Sequence, residues 1–288
     1  MMCAVKSVAV VGPGLLGGSL ALALSDAGVA DLRLWGRREA ALDGAMAAGF
    51  SGLGTTDFDA AVRGVDLVVL AVPVGVMPGL AQRIAELPRH ERPKWVTDVG
   101  SVKGALAVEL PAVLDPAGVA FVGAHPMCGS EQSGIGAADR ELFRGARCFV
   151  CPGETTDESS LEVVSAFWSA VGCDVHHIDA TAHDAVVAKI SHLPHVLAAV
   201  AAIGALKKSP EMGRFAGNGL RDTSRVASGG VAMWTEILLE NQQAVAEALQ
   251  QAHETLAAFH QAVEQGNATT LTALLADAKA LRDELAGM

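Results

Sequence analysis

The chain predicts an α/β, doubly wound N-terminal domain followed by an all-helical C-terminal domain, and three observations carry that expectation. Up to about residue 180, short apolar runs alternate with helix-like stretches; a glycine triplet stands directly after the first run; beyond residue 180 the β-rich runs stop and long helical stretches take over. Strands that read as continuous apolar runs, separated by helices, belong to a parallel sheet covered on both faces. The expected division is therefore 1–180 and 181–288.

The runs are SVAVV (7–11), LRLW (32–35), DLVVLAV (66–72), KWVTDV (94–99), VAFVG (119–123), RCFVC (147–151) and CDVHHI (173–178). Helical stretches follow near 182–208, 231–264 and 268–286, with Pro194 placed to kink the first and SGG (228–230) leading into the second. The most apolar segment, HVLAAVAAIGAL (195–206), is too short to span about 30 Å of hydrocarbon and reads as a buried helix. Helices rich in Ala and Leu on more than one face want a partner, so a homodimer through the C-terminal half is expected.

With 288 residues and 29.5 kDa the chain can bury one large or two medium cores. Lys and Arg number 21 against 32 Asp and Glu, a formal charge of −11, which argues against nucleic acid as a partner. The start MMCAVKSVAVVG runs straight into a strand-and-glycine pattern without a charged-then-apolar leader, so a cytoplasmic protein without membrane attachment is expected. Five scattered cysteines suit reduced thiols. CFVC (148–151) lies in a β-like run without a second pair, and no metal site is expected.

VAVVGPGLLGGSLALAL places Gly12, Gly14 and Gly17 as G-x-G-x-x-G between a strand and a helix, with Leu15 and Leu16 inside the loop. The first glycine permits the tight turn, the second lets the backbone approach a pyrophosphate, and the third lets helix and strand pack closely. This is a dinucleotide-binding, Rossmann-type start. Cofactor choice is written at the end of the second strand, where LRLWGRREAAL has Gly36 in place of an acidic residue, then Arg37 and Arg38. Two guanidiniums suit a 2′-phosphate, so NADP is favoured and NAD remains possible. A solvated turn is the plainer account of both arginines.

Ligands in open α/β sheets bind beyond the carboxyl ends of strands. LAVP (70–73) brings Val72 and Pro73 there, where the proline turns the chain along the cofactor; TDVGSVKG (97–104) brings Asp98, Ser101 and Lys103. Ser101 can also cap the helix that follows. FVGAHPM delivers His125 to the same edge, where an acid/base group is favoured and a histidine that merely caps the strand is the plainer account.

DVGSVKG, GAHPMCGSEQSG, ISHLPH (190–195) and GLRDTSRVASGGVAMWTEILLEN (219–241), in that order behind the glycine loop, resemble the prephenate/arogenate dehydrogenase family of tyrosine biosynthesis over nearly the whole chain. The resemblance implies oxidative decarboxylation of a cyclohexadienol with reduction of NAD or NADP, without a metal. It makes His125 the base on the ring hydroxyl and Ser101 the residue that orients it and the nicotinamide end. Arg225 would hold a substrate carboxylate, and His192 would be a second pocket histidine. Glu131 and Asp222 would be acidic residues near the pocket mouth, with Trp234 a nearby aromatic. A carboxylate such as Glu131 near the substrate's amino group would favour arogenate over prephenate. On a length of 288 residues neither a fused mutase nor a regulatory domain is expected.

Plainer accounts stand beside these roles: His192 and His195 as satisfied core histidines, and the arginines of 214–225 as a solvated loop. A β-hydroxyacid dehydrogenase is the alternative enzyme, but the asparagine expected one turn after its helix lysine is absent, since Leu193 follows Lys189. A non-catalytic dinucleotide sensor is the alternative of another class.

Overall fold

The computed structural model describes residues 5–130 and 132–287. Nine strands are present among them: β1 (Ser7–Val11), β2 (Asp31–Trp35), β3 (Leu53–Thr55), β4 (Leu67–Leu70), β5 (Trp95–Asp98), β6 (Ala120–Phe121), β7 (Gly123–Pro126), β8 (Arg147–Cys151) and β9 (Asp174–His177). The helices up to residue 180 are α1 (Leu15–Asp26), α2 (Glu39–Ala47), α3 (Phe58–Val62), α4 (Met77–Glu86), α5 (Leu106–Leu114) and α6 (Glu158–Val171). Helices alone follow: α7 (Ala180–Val187), α8 (Leu193–Leu206), α9 (Asn218–Ser224), α10 (Val231–Glu240), α11 (Gln242–Glu264) and α12 (Ala268–Ala286). By packing, the chain divides into two compact units, Met1–Asn241 and Gln242–Met288.

In the first unit, β3-β2-β1-β4-β5-β6 form a wholly parallel sheet. Its strand order reverses between β1 and β4, and that switch point opens a crevice beyond the strand ends. Each face carries its own core, as alternation along a strand requires. Val8 and Val10 of β1 pack with Leu20, Leu34, Phe167 and Trp168; Ala9 and Val11 pack with Phe58, Leu70, Met77 and Leu110.

The single parallel sheet expected from the apolar runs is corrected in one respect. β7, β8 and β9 form a separate three-stranded sheet in which β7 runs antiparallel to β8. The chain leaves the first sheet after Phe121 and starts the second at Gly123, so His125 sits on the small sheet opposite Phe149. Cys148 and Cys151, the CFVC pair, are buried strand residues of β8.

Three helical expectations change as well. The stretch near 182–208 is a continuous run from Ala180 to Leu206, 27 residues and apolar enough by length and composition to cross a membrane. Its first half is instead tied into the fold by the buried His183 and Asp184, and a wide π turn at Ala188–His192 takes up the disturbance that Pro194 brings at the start of α8. The segment 195–206 is not a buried helix: Leu197, Val200 and Ile203 are 43%, 51% and 57% exposed. The stretch 231–264 breaks at Asn241, whose backbone leaves the helical region (φ −109°, ψ 34°) while its side chain turns inward. The second unit is a helical hairpin of α11 and α12, turned at Gly266 (φ +61°) and capped by Asn267, which accepts from the Thr270 N–H.

Candidate functional site

The glycine loop is built as the spacing requires. Gly12 has φ +114°, and a Cβ there would strike the Ala71 carbonyl oxygen; a Cβ on Gly17 would strike the Gly12 carbonyl oxygen. A Cβ on Gly14 would meet nothing within 4 Å, so this glycine faces open space. Gly14 is the N-cap of α1 and offers no side-chain bond to the helix's first N–H groups, which are left for an anion. Gly14, Leu15, Leu16, Val72, Pro73 and Ser101 line one cleft of about 380 Å³. Its far wall is α10, where Glu236 accepts a 2.6 Å hydrogen bond from the Gly75 N–H.

Gly36 sits against Pro13: a Cβ there would lie 2.7 Å from Pro13 Cγ, which leaves no room for an acidic side chain at this strand end. Arg37 and Arg38 are exposed, and neither forms an ion pair with a described residue. The segment after His125 folds back over α1, with Ile135 filling the space beside Gly18 and the Asp139 N–H donating to Ser19 Oγ at 2.8 Å. That packing brings Ser133 and Gly134 to the cleft. Glu131 lies outside the described residues.

His125 is 8% exposed and does not line the cleft; it belongs to a chain of buried polar groups. Asp184 Oδ1 accepts from His183 Nδ1 at 2.7 Å, and His183 Nε2 meets His125 Nδ1 at 2.9 Å. Asp184 also accepts from the N–H groups of Lys103 and Gly104, each at 2.8 Å. Burial works to raise the Asp184 carboxyl, but these three donors outweigh it and hold the group below the usual carboxylate range. An ionised Asp184 fixes the tautomers along the chain. His183 donates from Nδ1 and accepts at Nε2, so His125 donates from Nδ1 and keeps its lone pair on Nε2. Burial, then the neighbouring His183, Lys103 and His192, push His125 well below the ordinary histidine value, which keeps it neutral.

A second buried pair lies beside the first. Lys103 is ion-paired with Asp98, and the two are 1% and 0% exposed. Asp98 also accepts from Gly100 N–H at 2.8 Å and from Ala124 N–H at 3.0 Å. Ser101 does not cap a helix, since α5 begins at Leu106 with Ala105 as its N-cap; the residues between Ser101 and Leu106 are held by the Asp184 and Asp98 carboxylates instead. That corrects the capping account of Ser101.

The helical segment supplies another group of side chains. His195 stacks on Trp234 at 3.5 Å and 10°, and His192 meets the same indole edge-on at 6.1 Å. Asn241 Nδ2 reaches the Asp184 carbonyl at 2.8 Å and His192 Nδ1 at 3.2 Å, a link between this group and the His125 chain. His192 Nε2 and His195 Nδ1 are buried without a hydrogen-bond partner among the described residues. Burial depresses His192 to about 4. Arg225 opens a short 3₁₀ turn after α9, and Asp222 is exposed on α9. Among the described residues no group of three or more His, Cys, Asp or Glu is placed to hold a metal ion.

The sequence reading missed His183, Asp184 and Asn241. The adjacent His-Asp pair at the start of a helix capped by Asp179 was the one available signal for the first two.

Comparison with known proteins gives a consistent result. Residues 20–177 match the family model for the prephenate dehydrogenase nucleotide-binding domain, and residues 179–277 match that for the prephenate dehydrogenase dimerization domain. The prephenate dehydrogenase of Bacillus subtilis (strain 168) is 31% identical over 289 residues, covering 97% of this chain and 76% of its own. Among solved structures, prephenate dehydrogenase from A. aeolicus in complex with hydroxyphenyl propionate and NAD+ is 29% identical with a TM-score of 0.87, covering 97% of this chain and 98% of that one. Synechocystis arogenate dehydrogenase is 27% identical with a TM-score of 0.78, covering 97% and 99%.

Proposed function

Since this chain belongs to the prephenate dehydrogenase family, we propose that it oxidatively decarboxylates arogenate, prephenate or both, with His125 as the base on the ring hydroxyl. A dehydrogenase using a nicotinamide dinucleotide follows from the family match. The role of His125 is carried by the line Asp184–His183–His125, which leaves a neutral imidazole with its lone pair on Nε2. A general base needs that protonation state and a fixed ring, and both are built in before any substrate arrives.

The glycine loop fits a dinucleotide: Gly12 and Gly17 close the turn, and Gly14 leaves space where the pyrophosphate would approach. Val72, Pro73, Leu15, Leu16 and Ser101 would hold its nicotinamide half, and Arg37 and Arg38 would hold the 2′-phosphate of NADP. The dinucleotide, when bound, accepts the hydride that leaves ring C4. His125 Nε2 takes the proton of the hydroxyl on that carbon, and carbon dioxide leaves as the ring becomes aromatic. Proton transfer makes His125 an imidazolium, which His183 and the Asp184 carboxylate stabilise through the Nδ1 side. Ser101 would orient His125 and the nicotinamide end. Arg225 would bind a substrate carboxylate through its two-pronged guanidinium. His192, whose Nδ1 faces the Asn241 amide N–H, would donate from Nε2 to the substrate's polar end, with Trp234 and Asp222 near the mouth. NADP over NAD, and arogenate ahead of prephenate, are parts of this reading.

The functional division is proposed at 1–180 for the dinucleotide and 181–288 for substrate and self-association, in a cytoplasmic homodimer. The exposed Leu197, Val200 and Ile203 on α8 supply an apolar face for the second copy. A monomeric mass by light scattering would count against the dimer.

The test is initial rate with arogenate and with prephenate, each paired with NADP and with NAD, for the wild type and His125→Asn, alongside cofactor binding. Turnover should collapse in the variant while cofactor affinity is kept, and the fastest wild-type pairing should be arogenate with NADP. Failure of both substrates in the wild type would overturn the activity. A variant within about tenfold of wild type would overturn the role of His125, because positioned general bases contribute about 10²–10⁴.

A further inference from the structure

The buried Asp98–Lys103 pair has no part in the chemistry above, yet it touches the segments that carry Ser101, His125 and Asp184. Taking two charges out of water costs more than their attraction returns unless other hydrogen bonds complete the site, so a buried pair is poor evidence for stability. Here the completing bonds are specific. Asp98 Oδ2 accepts from Lys103 and from Gly100 N–H, which sets the turn carrying Ser101. Asp98 Oδ1 accepts from Ala124 N–H, which ties β7 to the end of β5 although the two strands belong to different sheets. Lys103 also donates from Nζ to the Val102 carbonyl, and its backbone N–H holds Asp184. Glycines make the room: a Cβ on Gly100 would lie 2.8 Å from Asp98 Oδ2, and one on Gly123 would lie 3.1 Å from Lys103 Cδ.

We propose that Asp98 and Lys103 are positioning residues whose ion pair fixes Ser101 and His125 relative to one another and supplies the field in which His125 works. At this pair the Ser101 turn, the His125 strand and the Asp184–His183 support converge. Loss of either member lets the small sheet move against the large one at the residue next to His125. The Lys103 charge acts on His125 in the sense that disfavours imidazolium, and the Asp98 carboxylate paired with it carries the opposite charge. The other titratable groups around His125 are His183 and Asp184 on α7, His192 on the π turn, and Cys148 and Cys151 on β8.

The inference rests on His125 being the base, and the test separates the two. Lys103→Met, Asp98→Asn and the double variant are compared with the wild type and His125→Asn in kcat, cofactor KM and the pH profile of kcat/KM. Both single variants should lose about 10²-fold in kcat, the size of effect a misplacement of about 1 Å produces, with cofactor KM within about threefold. The acid limb should move up in Lys103→Met, where an uncompensated carboxylate remains, and down in Asp98→Asn, where an uncompensated ammonium remains. A merely structural pair would move both limbs alike or neither, and that result overturns the proposal. Should the single variants not fold, the neutral double variant decides: a kcat lowered about tenfold or more supports the proposal, and one within about twofold of wild type overturns it. If His125→Asn itself turns over, the base assignment has failed and the proposal falls with it; if only the opposite limb shifts are missing, this proposal alone fails.

Discussion

Asp184→Asn separates the roles of charge and geometry at the base. Asp184 Oδ1 accepts from both Lys103 N–H and His183 Nδ1, while Oδ2 accepts from Gly104 N–H. An asparagine that keeps its oxygen on the Oδ1 side preserves two of the three bonds and the His183 tautomer, and it turns its amide N–H groups towards Gly104 N–H. The reverse orientation would set donors against both Lys103 and His183, so the first is preferred. The Gly104 N–H is part-buried, and leaving a donor unpaired there costs up to about 1–3 kcal/mol. At about 2–4 °C per kcal/mol for a chain of this order, Tm should fall by roughly 2–12 °C with folding intact. The imidazolium formed as His125 takes its proton loses the carboxylate behind His183, a loss of about 1.4–2.8 kcal/mol that lowers kcat by roughly 10- to 100-fold. Cofactor KM should stay unchanged. The assay is steady-state reduction of the dinucleotide together with thermal melting of the same preparations. A lower Tm with kcat within about twofold of wild type would show Asp184 to be structural only, and the reasoning from tautomers would be wrong.

Other expected outcomes follow from the same geometry. Gly17→Ala should lower both Tm and cofactor affinity, because its Cβ meets the Gly12 carbonyl, whereas Gly14→Ala should leave Tm unchanged and weaken only the cofactor; melting with and without cofactor distinguishes them. Arg37→Ala combined with Arg38→Ala should lower kcat/KM for NADP by about 10- to 100-fold, the worth of one or two charge-assisted bonds, and leave NAD within about twofold; equal losses for both cofactors would remove the arginines from the 2′-phosphate site. His125 and His192 are depressed in the folded state, so the unfolded chain binds more protons below the ordinary histidine value. Their contribution to stability is fully present above about pH 6.5 and is lost as pH falls towards 4, by up to about 1.4 kcal/mol per unit for each group; a urea midpoint unchanged across that range would contradict it.

The glycine loop, the strand ends and the order of the helical stretches were legible in the sequence because each is a local pattern. β3 was not, since Leu53–Gly54–Thr55 is three residues with a glycine in the middle and draws its stability from pairing with β2. The break into two sheets was also hidden: Phe121 and Gly123 are two residues apart, and only the pairing of β7 with β8, more than twenty residues further on, sends them to different sheets. At the site, His125 and Ser101 could be placed from strand ends, but their support could not. His183 lies 58 residues from His125, and Asn241 lies 57 from Asp184. Such pairings come from tertiary packing, which leaves no periodicity to read. The apolar run of α8 misled for a related reason: composition reports that a helix needs covering and says nothing of whether its own chain supplies the cover.

Asp184 and His183 hold a neutral His125 with its lone pair ready on Nε2. The pH dependence of kcat/KM in the wild type tests it most directly, since the acid limb reports the base of the free enzyme. The limb should lie well below the ordinary histidine value of 6.5, because burial and three neighbouring groups oppose the imidazolium. A limb at or above that value, or an acid limb that persists unchanged in a His125→Asn enzyme retaining turnover, would contradict it.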